Sequence, residues 1–401
     1  MLIYCKIKRI FYEKVYLDNA ATTVCSHDVL NEMLPAFNAV FGNPSSLHSF
    51  GREASNLVDR ARDKVAHAIN AKSEEIYFTA GGSEANNWAI KGLAHANMAK
   101  GKHIITTKIE HDSVLESCQA LEHEGFTVTY VGVDETGLVS LADILHNIRK
   151  DTILISVMTV NNEVGTIQNI KAIAKTAHEN GILFHTDAVA ALGSVRLDVE
   201  DMEIDAMSMS AHKIYGPKGC GALYLKNGVK CQDLIDGGNQ ERKKRGGTHN
   251  VPAIVGFGRA IEIATKEIIV NQQKIKKIRD YFVKELTQKI NYTKINGHAF
   301  QKVQGIVNIG FEMINNEALV TMLDLSGVAV SVGSACTSGV AKKSHVLTAM
   351  NVPDEYLKGS IRFSFGKHIS KEDIDYAIEV ICQSVAKLRA ISPITKTGRA
   401  K

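Results

Sequence analysis

Seven short β-branched or apolar runs alternate with helical patterns between residues 74 and 226: "EEIYFTA", "KHIITTK", "TVTYVGV", "TILISVMTV", "GILFHTDA", "AMSMSAHK" and "GALYLK". Their spacing, roughly 20–30 residues, leaves room for a helix between successive runs, as a crossover between parallel strands requires. The expectation is an α/β chain with a mostly parallel sheet, covered on both faces. Residues 253–290 read as one long helix, after which the spacing changes. "QGIVNIGF", "GVAVSVG" and "SIRFSFG" then predict strands of a smaller α+β lobe. The division is placed inside the long helix. It gives a large domain over 15–265 and a small one over 266–401, joined by the N-terminal segment 1–14.

A chain of 401 residues can bury a large core and build more than one lobe. A net charge of +4 over that length implies neither a nucleic-acid nor a membrane partner. The one basic run, Arg242-Lys243-Lys244-Arg245, reads as a solvated loop. The 7 cysteines are scattered and form no CxxC pair, which argues against a disulfide framework or zinc site and for a reducing compartment. No apolar run approaches the roughly 20 residues that span a bilayer. The basic, apolar N-terminus lacks a small-residue cleavage site. A cytoplasmic protein is expected.

In open α/β sheets ligands sit beyond the carboxyl ends of the strands, and the conspicuous polar residues fall there. "FTAGGSEANNWAI" reads as strand, glycine turn, helix. Gly82 and Ser83 would open backbone N–H groups and a helix N-terminus to an anion, or they form an ordinary tight turn. The pattern matches neither a nucleotide-triphosphate nor a dinucleotide loop, so a single phosphate fits better. Asp187 and Lys213 end adjacent predicted strands, as an ion pair or as a cofactor site. Pyridoxal phosphate needs a Schiff-base lysine, an anion site and an acid on its ring nitrogen. His111 would stack on such a ring or serve as a cap. Asn162 would donate to it or simply occupy a turn. Arg362 lies within an apolar strand, where an unpaired charge is costly. It would either clamp a substrate carboxylate or pair with an acid. Cys336, set among glycines and serines in "SVGSACTSGV", reads as an accessible thiol rather than a core residue.

Taken in order, "YLDNAATT", "FGNPSSLHSFGR", "TAGGSEANNWAIKG", "EHDSV", "VNNEVGTIQ", "FHTDAV", "MSAHKIYGPKGCGALY", "GGNQERKKRGGTHN" and "GSACTSG" resemble the pyridoxal-phosphate cysteine desulfurases of the NifS/IscS type. The resemblance runs from about residue 15 to 385. It implies the type I fold of pyridoxal-phosphate enzymes (a large domain with a mixed, mostly parallel sheet plus a smaller α+β domain) acting as a homodimer. It makes Lys213 the Schiff-base lysine, Asp187 the partner of the ring nitrogen and His111 the stacking ring, with Asn162 in contact. Gly82, Ser83, Ser210 and His212 would hold the phosphate, helped by Thr248 from the other subunit. Arg362, with Asn162, would bind the substrate carboxylate. Cys336 would be the nucleophile that takes sulfur from L-cysteine as a persulfide, releasing alanine. The sulfur would pass to an acceptor such as an iron–sulfur scaffold. No metal of its own is expected; Cys336 would at most contact a nascent iron–sulfur cluster on the partner.

Two positions depart from that family. Ala190 stands where a glutamine usually hydrogen-bonds the cofactor's phenolic oxygen; one such bond is worth about 1 kcal/mol. Lys342 and Lys343 stand where an acidic residue and proline are common, either lowering the Cys336 thiol pKa or remaining solvated. The rival readings are a selenocysteine lyase or another class V enzyme, a weakly active sulfur-transfer platform, and a cysteine hydrolase. The last lacks a His–acid pair beside "GSACTSG".

Overall fold

The computed structural model describes residues 14–333 and 343–392. In chain order its strands are β1 (Val15–Tyr16), β2 (Ile76–Thr79), β3 (His103–Thr107), β4 (Thr127–Val131), β5 (Thr152–Ser156), β6 (Leu183–Asp187), β7 (Ala206–Ser210), β8 (Gly221–Leu225), β9 (Thr293–Asn296), β10 (Ile306–Phe311), β11 (Val328–Ala329) and β12 (Ser360–Ser364). Each of the seven apolar runs becomes one strand of a 7-stranded sheet, ordered β2-β8-β7-β6-β5-β3-β4. Strands β3 to β7 pair in parallel, and β8 runs antiparallel to both of its neighbours.

Side chains alternate between faces along a strand, so a sheet covered on both sides needs apolar residues at both parities. That is what these runs supply. Ile104, Leu154 and Leu223 pack with Trp88, Leu93 and Val114 on one face. Ile105, Ile155 and Tyr224 pack with Val58, Ile173 and Phe257 on the other. The helices Gly82–Asn97 and Asp112–His123 cover the first face. Ser49–Ala68 and Ile170–Glu179 cover the second, with the start of the long helix.

The long helix spans Val251–Lys289, with Pro252 in its first turn and the Asn250 side chain accepting from the Ala253 N–H. At 1.5 Å per residue it extends about 58 Å. Val251 to Ile261 pack into the larger core, whereas Ile275, Phe282 and Leu286 belong to a second core. That second core is built on the antiparallel sheet β12-β10-β9, and Val15 and Leu17 join it as β1 pairs with β11.

The register fixes where the site forms. Thr79 at the end of β2 and Ser210 at the end of β7 both face Gly221, the first residue of β8. Asp187, ending β6, faces Ser208. The segments after β2, β6 and β7 therefore emerge along one edge of the sheet. The smaller lobe meets that edge through Arg362 on β12, whose backbone pairs with Ser331.

Candidate active site

A cavity of about 460 Å³ opens at this edge, and ten of the residues expected from the sequence meet there or beside it. Gly82, Ser83, His111, Asn162, Asp187, Ser210, His212, Lys213 and Arg362 all line it, with Ala190 in the same wall. Thr248 is exposed and is not among the lining residues. Cys336 and Lys342 lie outside the described residues, but Ser331 and Gly333 before them and His345 after them line the cavity.

The amine of Lys213 donates to the carbonyls of Ala20 and Ala21, the latter at 2.8 Å. Burial, reinforced by the Arg362 charge, brings its ammonium down to about 8, so neutral amine is accessible at physiological pH. Asp187 is 4% exposed. Its two oxygens accept from Asn86 Nδ2 at 2.7 Å and from the Val189 N–H at 2.8 Å. The same Asn86 amide reaches Ser113 Oγ at 2.8 Å, and that hydroxyl lies 2.8 Å from His111 Nδ1. Three hydrogen bonds thus link the acid to the histidine, from the buried Asp187–Asn86 bond out to the exposed Ser113–His111 one. His111 is also the cap of its helix, accepting from the Ser113 N–H at 3.1 Å, which leaves Nε2 to carry the proton of the neutral ring. The capping and ligand-facing readings of this residue are compatible.

The glycine turn expected to hold an anion lies at the cavity wall. The helix Gly82–Asn97 begins at the cavity wall, presenting N–H groups that no helix carbonyl takes. A side chain at Gly82 would put its Cβ 2.6 Å from Val189 Cγ2, so any other residue there would have to displace Val189. Ser210 Oγ is buried at the same wall without a hydrogen-bond partner. A buried hydroxyl is costly to leave unpaired, and an anion oxygen would satisfy it. His212 Nδ1 lies 3.1 Å from Thr22 Oγ1; burial, then the Lys213 charge, lowers the ring to about 4 and keeps it neutral.

Arg362 is 3% exposed. It donates to Asp18 Oδ1 at 2.9 Å and to the Asn162 carbonyl at 3.0 Å, and its Nε has no partner. The acid pairing left open by the sequence is therefore present, alongside a free donor. Asp18 and Asn86 were not singled out from the sequence. Both stand inside quoted motifs, "YLDNAATT" and "GGSEANNWAI", but their partners are remote in the chain. Glu163 also lines the cavity, accepting from Ser344 Oγ at 2.6 Å, and burial raises its carboxyl pKa. Lys343 is engaged with Asp354 at 2.8 Å. The basic run is not simply solvated. Arg242 stacks 4.2 Å from the Tyr77 ring centre and donates to the Ile76 carbonyl, while Arg245 forks onto Glu84.

The lining suits a phosphorylated, positively charged ring, combining a helix N-terminus, a buried carboxylate and an amine whose pKa is brought down to about 8. Similarity to known proteins agrees. The Aminotransferase class-V family pattern matches residues 15–377. A cysteine desulfurase IscS of Methanosarcina thermophila is 50% identical over 381 residues, covering 95% of this chain and 94% of that protein. The corresponding protein of Dictyoglomus turgidum is 49% identical, covering 95% and 96%. Among solved structures, a NifS-like protein superposes with a TM-score of 0.88 at 37% identity, covering 93% of this chain and 100% of that one. SspA in complex with cysteine gives 0.78 at 36% identity, covering 88% and 99%. With about half its residues shared over nearly the full length of such relatives, the chain belongs to the class-V aminotransferase family.

Proposed function

We propose that this chain is a pyridoxal-phosphate-dependent cysteine desulfurase. It converts L-cysteine to L-alanine and passes the sulfur, as a persulfide on Cys336, to an acceptor such as an iron–sulfur scaffold. The observation that carries the reading is the convergence of Lys213, Asp187, Ser210 and Arg362 on one cavity whose wall includes the residues on either side of the Cys336 segment.

When bound, pyridoxal phosphate supplies an electron sink for the bond broken at the substrate Cα. The chain's own groups do the rest. The helix start at Gly82–Ser83 and the Ser210 hydroxyl hold the phosphate. Asp187, kept in place by Asn86 and the Val189 N–H, holds a proton at the ring nitrogen. The Arg362 guanidinium, held by Asp18 and the Asn162 carbonyl, would share its terminal nitrogens with the substrate carboxylate. Lys213, with its ammonium at about 8, takes the Cα proton as a neutral amine. The Cys336 thiolate then accepts the substrate sulfur.

The enzyme works as a homodimer in this reading. Thr248 is absent from its own chain's cavity, consistent with delivery to the partner's site, and Phe37, Phe41, Leu47 and Phe50 are exposed together on one stretch of chain. The division into a large and a small domain at residue 265 is supported by the long helix, whose residues up to Ile261 pack in one core and from Ile275 in the other.

The test is alanine formation from cysteine, together with the visible spectrum before and after cysteine. Cys336→Ala should abolish alanine release and leave the cofactor band intact. A protein without a visible band sinks the reading. Turnover in the variant sinks the role of Cys336. Preference for selenocysteine over cysteine would identify a lyase instead.

A further inference from the structure

Glu110 precedes His111 and is 0% exposed. One of its carboxyl oxygens accepts from the Thr107 hydroxyl at 2.7 Å and from the Met158 N–H at 3.0 Å. Thr107 ends β3, and Met158 follows the end of β5, so this oxygen bridges two neighbouring strand ends at the cavity edge. The other oxygen is buried without a partner. The charged group acting on the carboxyl is Asp187, at the end of β6, and its sign is the same. From the helix Asp112–His123 the facing titratable group is Cys118, a buried thiol whose own pKa is pushed up to about 12. From the helix His345–Ala349, His345 reaches only the Glu110 backbone carbonyl, at 2.9 Å. Among these neighbours no lysine or arginine compensates a charge.

We propose that Glu110 is a positioning residue, its buried carboxyl clamping β3 to β5 and so fixing the adjacent His111 at the cavity. Nothing in the desulfurase chemistry above uses this acid, and the inference rests on that reading only for what His111 faces. Burial, with a smaller push from Asp187, moves the carboxyl up to about 8. Ionisation would place a second buried negative charge near Asp187, on an oxygen that nothing satisfies. The two bridging bonds themselves favour the charged form, so ionisation in mild alkali strains their setting instead: a buried charge beside Asp187 that no cation offsets displaces the strand ends and His111.

Glu110→Gln keeps the shape of the protonated acid and cannot ionise, whereas Glu110→Ala removes the bridge. In the full-length holoenzyme, alanine formation and the visible spectrum are followed from pH 6 to 9.5. Urea midpoints are followed from pH 4 to 9.5. Glu110→Ala should lose about tenfold or more in turnover at pH 7, with an altered cofactor band, and Glu110→Gln should restore most of both. The Gln variant's rate relative to wild type should rise as pH passes 8, approaching tenfold at pH 9. The urea arm reads the clamp without reference to activity. A folded acid with a raised pKa binds more protons than the unfolded chain between about 4.5 and 8, so wild-type stability falls with pH there relative to the Gln variant. The gap between the midpoints should open across that window and stay constant above it. Parallel midpoints and a flat rate ratio overturn the proposal, even if Glu110→Ala fails to fold. A wild type that forms no alanine overturns the desulfurase reading instead, and the midpoints still decide the clamp.

Discussion

Arg362 donates through one terminal nitrogen to Asp18 at 2.9 Å, an ion pair in which the arginine is almost wholly buried and the aspartate partly open to the cavity. A substrate carboxylate would share that guanidinium with Asp18. Arg362→Lys loses the fork, and with it charged hydrogen bonds worth about 1.5–3 kcal/mol. The Michaelis constant for cysteine should rise roughly ten- to hundredfold, with the cofactor band unchanged. Asp18→Asn keeps the shape and removes the competing charge. It should lower the Michaelis constant while reducing stability, because the arginine is left with an uncompensated charge. Steady-state kinetics and urea midpoints on the two variants separate these effects.

Lys213 carries a pH signature of its own. Its ammonium is at about 8, against about 10.4 for an unfolded lysine. Between those values the unfolded chain binds more protons than the folded one, so stability rises with pH across the window. Below pH 8 the buried charge weighs against the fold in full. Lys213→Met, apolar and of similar length, should therefore be more stable than wild type in cofactor-free protein at pH 7, and the advantage should shrink between pH 8 and 10.5. Urea midpoints measure it. A constant difference would mean that the amine is not held in its neutral form by burial.

The large sheet was legible because its strands are buried on both faces, which forces continuous apolar, β-branched runs such as "HIITT" and "TILIS". Strand β9, "TKIN", is half-exposed at the edge of the small sheet and leaves no such trace, nor does the two-residue β1, whereas "GVAVSVG" announces β11, of which only Val328–Ala329 forms a strand. The same contrast holds in the site. Lys213, Asp187 and Cys336 are chemically unusual in place and stand out one by one. Asp18 and Asn86 are ordinary polar residues that acquire meaning only from Arg362 and Asp187, which folding brings to them from 344 and 101 positions away. Arg242, exposed yet stacked on Tyr77, is a similar case, since nothing local to it announces that ring.

Ala190 lines both the main cavity and a second, smaller one behind Lys213, which also borders Leu192, Ile263 and Ile275. A glutamine there would fill part of that wall and offer one amide donor to the cofactor's phenolic oxygen. One neutral hydrogen bond is worth about 1 kcal/mol. Ala190→Gln should accordingly shift the pH at which the visible band changes by less than one unit and alter turnover by no more than about tenfold. An absorbance titration and initial rates test it. A loss of cofactor binding would show instead that the longer side chain does not fit.

Phe37, Phe41 and Phe50 are 61%, 65% and 51% exposed, and the rings of Phe41 and Phe50 lie 5.5 Å apart. So many aromatic side chains in water on one stretch mark a surface that another protein covers, and a second copy fits the proposed homodimer. If Thr248 of each subunit completes its partner's phosphate cradle, dimerisation and cofactor affinity are linked. Paired charges at Phe37→Glu and Phe41→Glu should split the dimer in sedimentation velocity. They should also weaken cofactor binding on dilution, although neither residue lines the cavity. Thr248→Ala should weaken the cofactor without changing the sedimentation coefficient. A monomeric double variant that binds the cofactor as tightly as wild type would separate the two, and would return the phosphate to the residues of a single chain.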